Sequence, residues 1–317
     1  MNELSKSSFI ATFKELDIEG RKDFQDIILQ NILSSNFLRY AKINNLEDII
    51  DKPFLKKLIF QKERYQMHSL AIIKEVHEIN RLFQDKGLTP IYLKGIALQN
   101  EYDDVALRPL TDIDILFKGS ELLVAYEILH RNNLLSSSET KCLHKENINQ
   151  FCVNFHHIQL TTKNNISIEL HHRVTLSRDF DLCPIGMSFF KDYRTIDYYG
   201  ESLNIPSIEN VIIHQLAHFS LQSDFKKLLR TINDIKMINN NYQINWHELI
   251  LKLNNIKLRK SICLSLEILS QNNIEIKDLD LIKPHFKDYF PKKEILSEAQ
   301  NRLFRTENKI HDDFFYS

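Results

Sequence analysis

The sequence predicts an α+β protein, a small mixed sheet set between two helical regions. Three observations carry that prediction. Apolar residues recur at helical spacing through roughly the first 86 residues and again from Pro206 onward. Between these regions, short runs alternate apolar and polar side chains as half-buried strands do. Three of the six glycines, Gly87, Gly95 and Gly119, fall within residues 87–119, where short elements joined by tight turns need residues without a Cβ. The division that follows is a helical region over 1–86, a mixed core over 87–205 and a helical region over 206–317.

In the first region Ile72, Val76, Ile79 and Phe83 share one helix face. Lys86-Gly87 ends that helix, with a cation in the last turn and glycine just past it. Phe24, Ile27, Ile28 and Ile32 suggest an earlier helix. Residues 91–93 read as a short strand, and residues 96–102 as a short helix. A polar turn at Asp103-Asp104 and Pro109 precedes a strand over residues 112–117. Ser120 is placed to cap a helix running to about His130. A hairpin is expected next, with arms at 151–160 and 166–171 and Lys163-Asn164-Asn165 as its turn. Beyond Pro206, Ser207 caps a helix carrying Val211, Ile212, Gln215, Leu216 and Phe219. A further helix carries Phe225, Leu228, Leu229, Ile232 and Ile235, and others lie near Trp246 and Ile262.

Hydrophobic residues make up 43% of the chain and charged residues 26%, enough apolar material for a packed core. The formal net charge of −1 provides no broad basic field for long duplex nucleic acid, whose binding requires neutralising many phosphates. Cys142, Cys152, Cys183 and Cys263 form no CxxC pair and read as free thiols of a reducing compartment. The polar N-terminus lacks a signal-peptide core, and no apolar run approaches the ~20 residues of a membrane span. The expectation is a cytoplasmic protein with no membrane partner.

The chemistry concentrates in the predicted strands. Successive strand side chains alternate between faces, so Asp112 and Asp114 share one. Two carboxylates on an otherwise apolar strand repel each other, and a hard divalent cation with oxygen ligands relieves that repulsion. A solvated polar edge strand would look the same. Glu169, in Ile166-Ser167-Ile168-Glu169-Leu170-His171, shares a polar face with Ser167 and His171. On a neighbouring strand it would complete a two-metal site of the kind that clamps both oxygens in phosphoryl transfer. Lys94-Gly95 lies between a strand and a helix start, where backbone N–H groups and a positive charge suit phosphate. Arg108 suits the same anion, or equally a structural clamp with Asp103 or Asp104. His156, His157, His171 and His172 raise the question of zinc, but these four do not stand in an HxxEH or HxxxH zinc-enzyme motif. His214 and His218 read as a packed or solvent-facing pair. Arg230 and Asp234 read as an i,i+4 ion pair.

The run Tyr92-Leu93-Lys94-Gly95-Ile96-Ala97-Leu98, then Tyr102, Arg108-Pro109, Thr111-Asp112-Ile113-Asp114-Ile115-Leu116 and the later Glu169-Leu170-His171, resembles a bacterial nucleotidyltransferase family of the DNA polymerase beta superfamily. The resemblance covers about residues 86–175, and more loosely the helices to about 240. It implies a nucleotidyltransferase core at 87–205 and an enzyme that moves a nucleoside monophosphate from an NTP such as ATP to an acceptor hydroxyl. It implies two magnesium ions, or manganese, on Asp112, Asp114 and Glu169. Lys94, Gly95 and Arg108 would hold the triphosphate, and on the same analogy so would Lys227 and Arg230. His171 would touch substrate or orient Glu169. Two departures stand out. Ile96 follows Gly95 where the superfamily turn usually has serine or glycine, and His172 stands where the family often has tryptophan. The expected acceptor is a small molecule. A toxin-like or defence enzyme acting on tRNA or protein, and a nucleotide-binding module without catalysis, are the alternatives.

Overall fold

The computed structural model describes residues 17–30, 32–136, 146–174, 184–221, 228–253, 256–271 and 279–297. The described residues begin with α1 (Ile18–Gln30), α2 (Ser34–Ile43) and the long α3 (Lys52–Asp85). Strand β1 (Ile91–Tyr92), helix α4 (Lys94–Gln99), strand β2 (Asp112–Leu116) and helix α5 (Gly119–Arg131) follow. Next come α6 (Ile148–Asn154), the hairpin of β3 (His157–Thr161) and β4 (Ser167–His171), the short α7 (Pro184–Ser188), and a second hairpin of β5 (Tyr193–Tyr198) and β6 (Glu201–Pro206). The described chain then continues through α8 (Ile208–Leu221), α9 (Leu228–Asn241), α10 (Trp246–Lys252), α11 (Ile256–Gln271) and α12 (Leu279–Ile282). No helix among the described residues is long and apolar enough to cross a membrane.

The strands make one mixed six-stranded sheet in the order β3-β4-β2-β1-β6-β5, so the architecture is α+β as predicted. β1 runs antiparallel to β2 and parallel to β6. The decisive pairing is β2 with β4, which is parallel and in register, Asp112 opposite Ser167 and Asp114 opposite Glu169. Ile113, Ile115, Ile168 and Leu170, on the other face of the same two strands, are fully buried. Each such aliphatic side chain contributes roughly 1.5–3 kcal/mol on burial. A one-residue slip would turn all of them to the wrong side, which is what holds the register.

Two hydrophobic clusters organise the molecule. A small one joins α1 and α2 to the first turns of α3 through Phe37, Leu46, Phe54 and Leu58. The large one joins the rest of α3 to the sheet and to α8, α9 and α11. Ile72, Val76, Ile79 and Phe83 all lie in it, and the Phe83 ring meets Phe117 edge to face at 5.0 Å. Gly87, at φ +75°, turns the chain out of α3 as expected.

Several local expectations change. Residues 151–160 do not form one strand arm: Ile148–Asn154 are helical and only His157–Thr161 pair in the sheet. The reason lies in Phe151 and Phe155, four apart and stacked at 5.0 Å, a helical contact that the short apolar run disguised. Helix α4 begins at Lys94 rather than at residue 96 and ends at Gln99. Helix α5 starts before Ser120, with Lys118 at the cap position and the Glu121 carboxylate accepting from the Lys118 N–H. Ser207 does cap α8, its hydroxyl accepting from the Asn210 N–H. The β5–β6 hairpin was not anticipated. Its turn is Tyr199-Gly200, both at positive φ, the geometry of the two-residue turns that suit strand twist.

One buried ion pair fixes α9 to the loop ahead of β2. Arg108 Nε donates to Asp234 Oδ1 at 2.7 Å, and Tyr102 Oη donates to the same oxygen at 2.8 Å. Asp234 therefore pairs with Arg108 and not with Arg230, which instead donates to Pro109 O at 3.2 Å. Asp103 and Asp104, which the sequence offers Arg108 as an alternative to phosphate, meet Arg39 and Lys62 instead. Removing Asp234 leaves Arg108 buried without its counter-charge, so Asp234→Ala is expected to lose about 3–5 kcal/mol in urea unfolding. The pair Arg108→Met with Asp234→Leu should recover most of that loss. An Asp234→Ala protein of unchanged stability would contradict the clamp.

Candidate active site

The site forms where the chain leaves β1 and where β2 and β4 run side by side. Leu93 donates its N–H to Asp114 O at 2.9 Å, which sets the start of α4 against the carboxylate face of β2. Lys94 sits at φ +45°, an uncommon conformation for a residue with a Cβ and one found at functional turns. Gly95 has a packing reason to be glycine, because a Cβ there would stand 3.0 Å from the Leu110 side chain.

Asp114, Glu169, Lys94 and His171 meet as one cluster. Lys94 Nζ donates to Asp114 Oδ1 at 2.6 Å and to Glu169 Oε2 at 3.1 Å. His171 Nε2 contacts the same two oxygens at 2.9 and 3.1 Å. Asp112, on the same face at the start of β2, accepts from Thr111 Oγ1 at 2.9 Å. His157 Nε2 lies 3.9 Å from Glu169 Oε1. Asp114 and His171 are almost fully buried, and Glu169 is mostly so.

The charges explain one another. Burial and the neighbouring Asp114 push the Asp112 carboxyl up to about 6. Burial alone would also raise Glu169, but the His171 hydrogen bond and the Lys94 ammonium overcome it and hold that carboxyl far below the usual range. Burial works to lower Lys94 and His171, yet the carboxylates raise both, Asp114 most of all. The site thus holds three carboxylates against one ammonium and one imidazole.

The donor set fits a hard divalent cation. Asp114 Oδ2 is buried with no hydrogen-bond partner, which is costly for a carboxylate oxygen unless a cation meets it. One oxygen each from Asp114 and Glu169, together with a His171 ring nitrogen, lie within 4.8 Å of one another. Asp112 stands outside that tight group, one strand repeat away on the same face.

Of the four residues that the sequence assigns to one site, Asp114, Glu169 and His171 meet, and Asp112 lies one strand repeat away on the same face. The structure treats the cations differently. Lys94, expected to face phosphate, lies between Asp114 and Glu169 and neutralises both. Arg108 is buried on Asp234, so its guanidinium is committed to the clamp rather than free for phosphate. Arg230 is half-buried at the start of α9, and Lys227 lies outside the described residues. His157 was not singled out as a neighbour of Glu169. Antiparallel pairing of His157 with His171 puts it there, and no sequence spacing encodes that.

Residues 23–272 match the family described as "Uncharacterised nucleotidyltransferase". That span covers most of the chain, and the protein belongs to this nucleotidyltransferase family. No curated protein matches the sequence. Among solved structures the chain is similar to an antigenic nucleotidyltransferase-like protein from Paracoccidioides brasiliensis. The TM-score is 0.38 and the identity 13%, over 73% of this chain and 92% of that one.

The two aspartates should respond oppositely to neutralisation without metal. Asp114→Asn strips Lys94 and His171 of a shared partner and is expected to cost about 3 kcal/mol. Asp112→Asn removes a repelled, half-satisfied carboxylate and should be neutral to stabilising by up to about 1 kcal/mol. Chemical unfolding in the presence of a chelator checks both. Equal destabilisation by the two changes would contradict the charge arrangement.

Proposed function

We propose that this protein transfers a nucleoside monophosphate from an NTP to a hydroxyl on a small molecule, with divalent cations, magnesium foremost, held by Asp112, Asp114 and Glu169. The observation that carries this reading is the in-register parallel pairing that sets Asp114 beside Glu169 on a carboxylate-lined face. When bound, the ions supply Lewis-acid stabilisation of the phosphoryl oxygens and lower the pKa of the acceptor hydroxyl. Glu169 would accept the proton of that hydroxyl as the general base. The hydroxyl oxygen forms a bond to the α-phosphorus, the bond to the bridging oxygen breaks, and pyrophosphate leaves.

Lys94 has two roles in this reading. Its ammonium neutralises Asp114 and Glu169. Were ions to neutralise those carboxylates, the flexible side chain would be free to meet the β- and γ-phosphates, a use to which a point charge on four methylenes is suited. The α4 start and Gly95 bring backbone N–H groups to the same place. Arg230, bonded to Pro109 O, adds positive charge near the loop before β2, and Lys227 would add more. His171 orients Glu169 and Asp114. A small acceptor accords with the net charge of −1, which offers little attraction to a long polyanion.

The test is incubation of the purified protein with each NTP, labelled in turn at the α- and γ-phosphate, with magnesium and a panel of hydroxyl compounds. Label should pass to the acceptor from the α-position only, and a chelator should stop it. Transfer of γ-label, or transfer indifferent to chelation, would overturn the reading. Asp112→Asn and Asp114→Asn should abolish transfer. Glu169→Gln should lower turnover by roughly a hundredfold with nucleotide affinity nearly kept, as loss of a metal-assisted base requires. Lys94→Ala should raise KM for NTP more than it lowers kcat, and an unaltered KM would remove Lys94 from phosphate binding.

A further inference from the structure

We propose that His156, His157 and His171 form a second cation site, one suited to a borderline transition ion such as Zn2+, beside the carboxylate site and separate from it in donor chemistry. His156 and His157 stand at the entry of β3, and His171 closes β4. Antiparallel pairing sets His157 directly opposite His171. The three rings meet, with centroids 4.1 Å apart for His156–His157, 4.9 Å for His157–His171 and 5.5 Å for His156–His171. One ring nitrogen from each lies within 4.8 Å of the other two.

Two details point to a ligand rather than to idle packing. His157 Nδ1 and His156 Nε2 face each other at 2.7 Å, so something positive must stand between their lone pairs. A proton does this for one tautomer. An ion bonded to each nitrogen at about 2.0–2.1 Å would do it for both, and a tetrahedral angle would part them to roughly 3.3 Å, a shift of about 0.6 Å. The second detail is His171. Its Nε2 is taken by Asp114 and Glu169, while Nδ1 is buried with no hydrogen-bond partner. An imidazole that gives one N–H to carboxylates and leaves its other nitrogen for an ion is the usual arrangement of a histidine ligand.

Nitrogen donors select this class of ion over magnesium, which prefers oxygen and keeps its waters. The His157 side chain is 23% exposed, which opens the site to solvent and lets water complete the coordination. The site escapes a search for zinc spacings because strand pairing, not sequence proximity, assembles it. The inference rests on the histidines and not on the nucleotidyl-transfer reading.

The test uses the full chain and Co2+ as a spectroscopic probe. One equivalent should bind with the visible absorption of nitrogen-rich tetrahedral coordination. Zn2+ should displace it, and Mg2+ in large excess should not. His156→Ala and His157→Ala should each weaken Co2+ by roughly a hundredfold or more, since even outer-shell partners are worth ten- to a hundredfold. Asp112→Asn should leave the spectrum intact. Histidine-selective nitrogen NMR of the unmodified protein gives an arm independent of any variant, and Zn2+ should shift three imidazoles together. Absence of Co2+ binding, or binding that survives both histidine changes and is lost in Asp112→Asn, would overturn the proposal.

Discussion

The parallel pairing of β2 with β4 is the constraint on which the rest depends. Asp114 and Glu169 lie 55 positions apart in the chain, and only this register sets them side by side. The same pairing requires Ile113, Ile115, Ile168 and Leu170 to fill the opposite face, so the apolar core and the carboxylate cluster are two sides of one structural decision. Bringing like charges together is unfavourable, and the hydrophobic side of the strands offsets that cost. Residual repulsion is visible in Asp112, whose carboxyl is pushed up to about 6 by burial and by Asp114.

Lys94 shows how the protein manages this repulsion with its own charges. Its ammonium lies on Asp114 and Glu169, held there by a left-handed backbone turn at the start of α4. A tethered cation thus neutralises the two carboxylates that the strand register brings together. Such a device carries a competition, since a divalent ion and the ammonium answer the same charge. The Arg108–Asp234 pair serves a different end. It locks α9 to the segment that leads into β2, and so fixes the C-terminal helices relative to the carboxylates.

Much of this was legible in the sequence, for physical reasons that differ by element. The α3 face, β2 and β4 could be read because their burial follows a strict period. Asp112, Asp114, Glu169 and His171 could be assigned to one face because strand alternation is rigid. The cations could not be placed in the same way, because long flexible side chains go where charge draws them. Lys94 went to carboxylates, and Arg108 went to Asp234 across 126 positions. Helix α6 was hidden because a short apolar run such as Phe151-Cys152-Val153 has no period to read. The β5–β6 hairpin was passed over although Tyr199-Gly200 between alternating residues was a usable sign. The neighbourhood of His157 and His171 depends on strand pairing that no local pattern reports.

In the proposed reading, the carboxylates of Asp112, Asp114 and Glu169 share divalent ions at the nucleotide. The most direct measurement is anomalous scattering from crystals grown with Mn2+ and a non-hydrolysable NTP analogue. The account predicts manganese within ligand distance of these three side chains, the triphosphate beside Gly95, and Lys94 drawn off Asp114 toward phosphate. Manganese bound elsewhere, with Lys94 still bridging Asp114 and Glu169 beneath an ordered nucleotide, would contradict it.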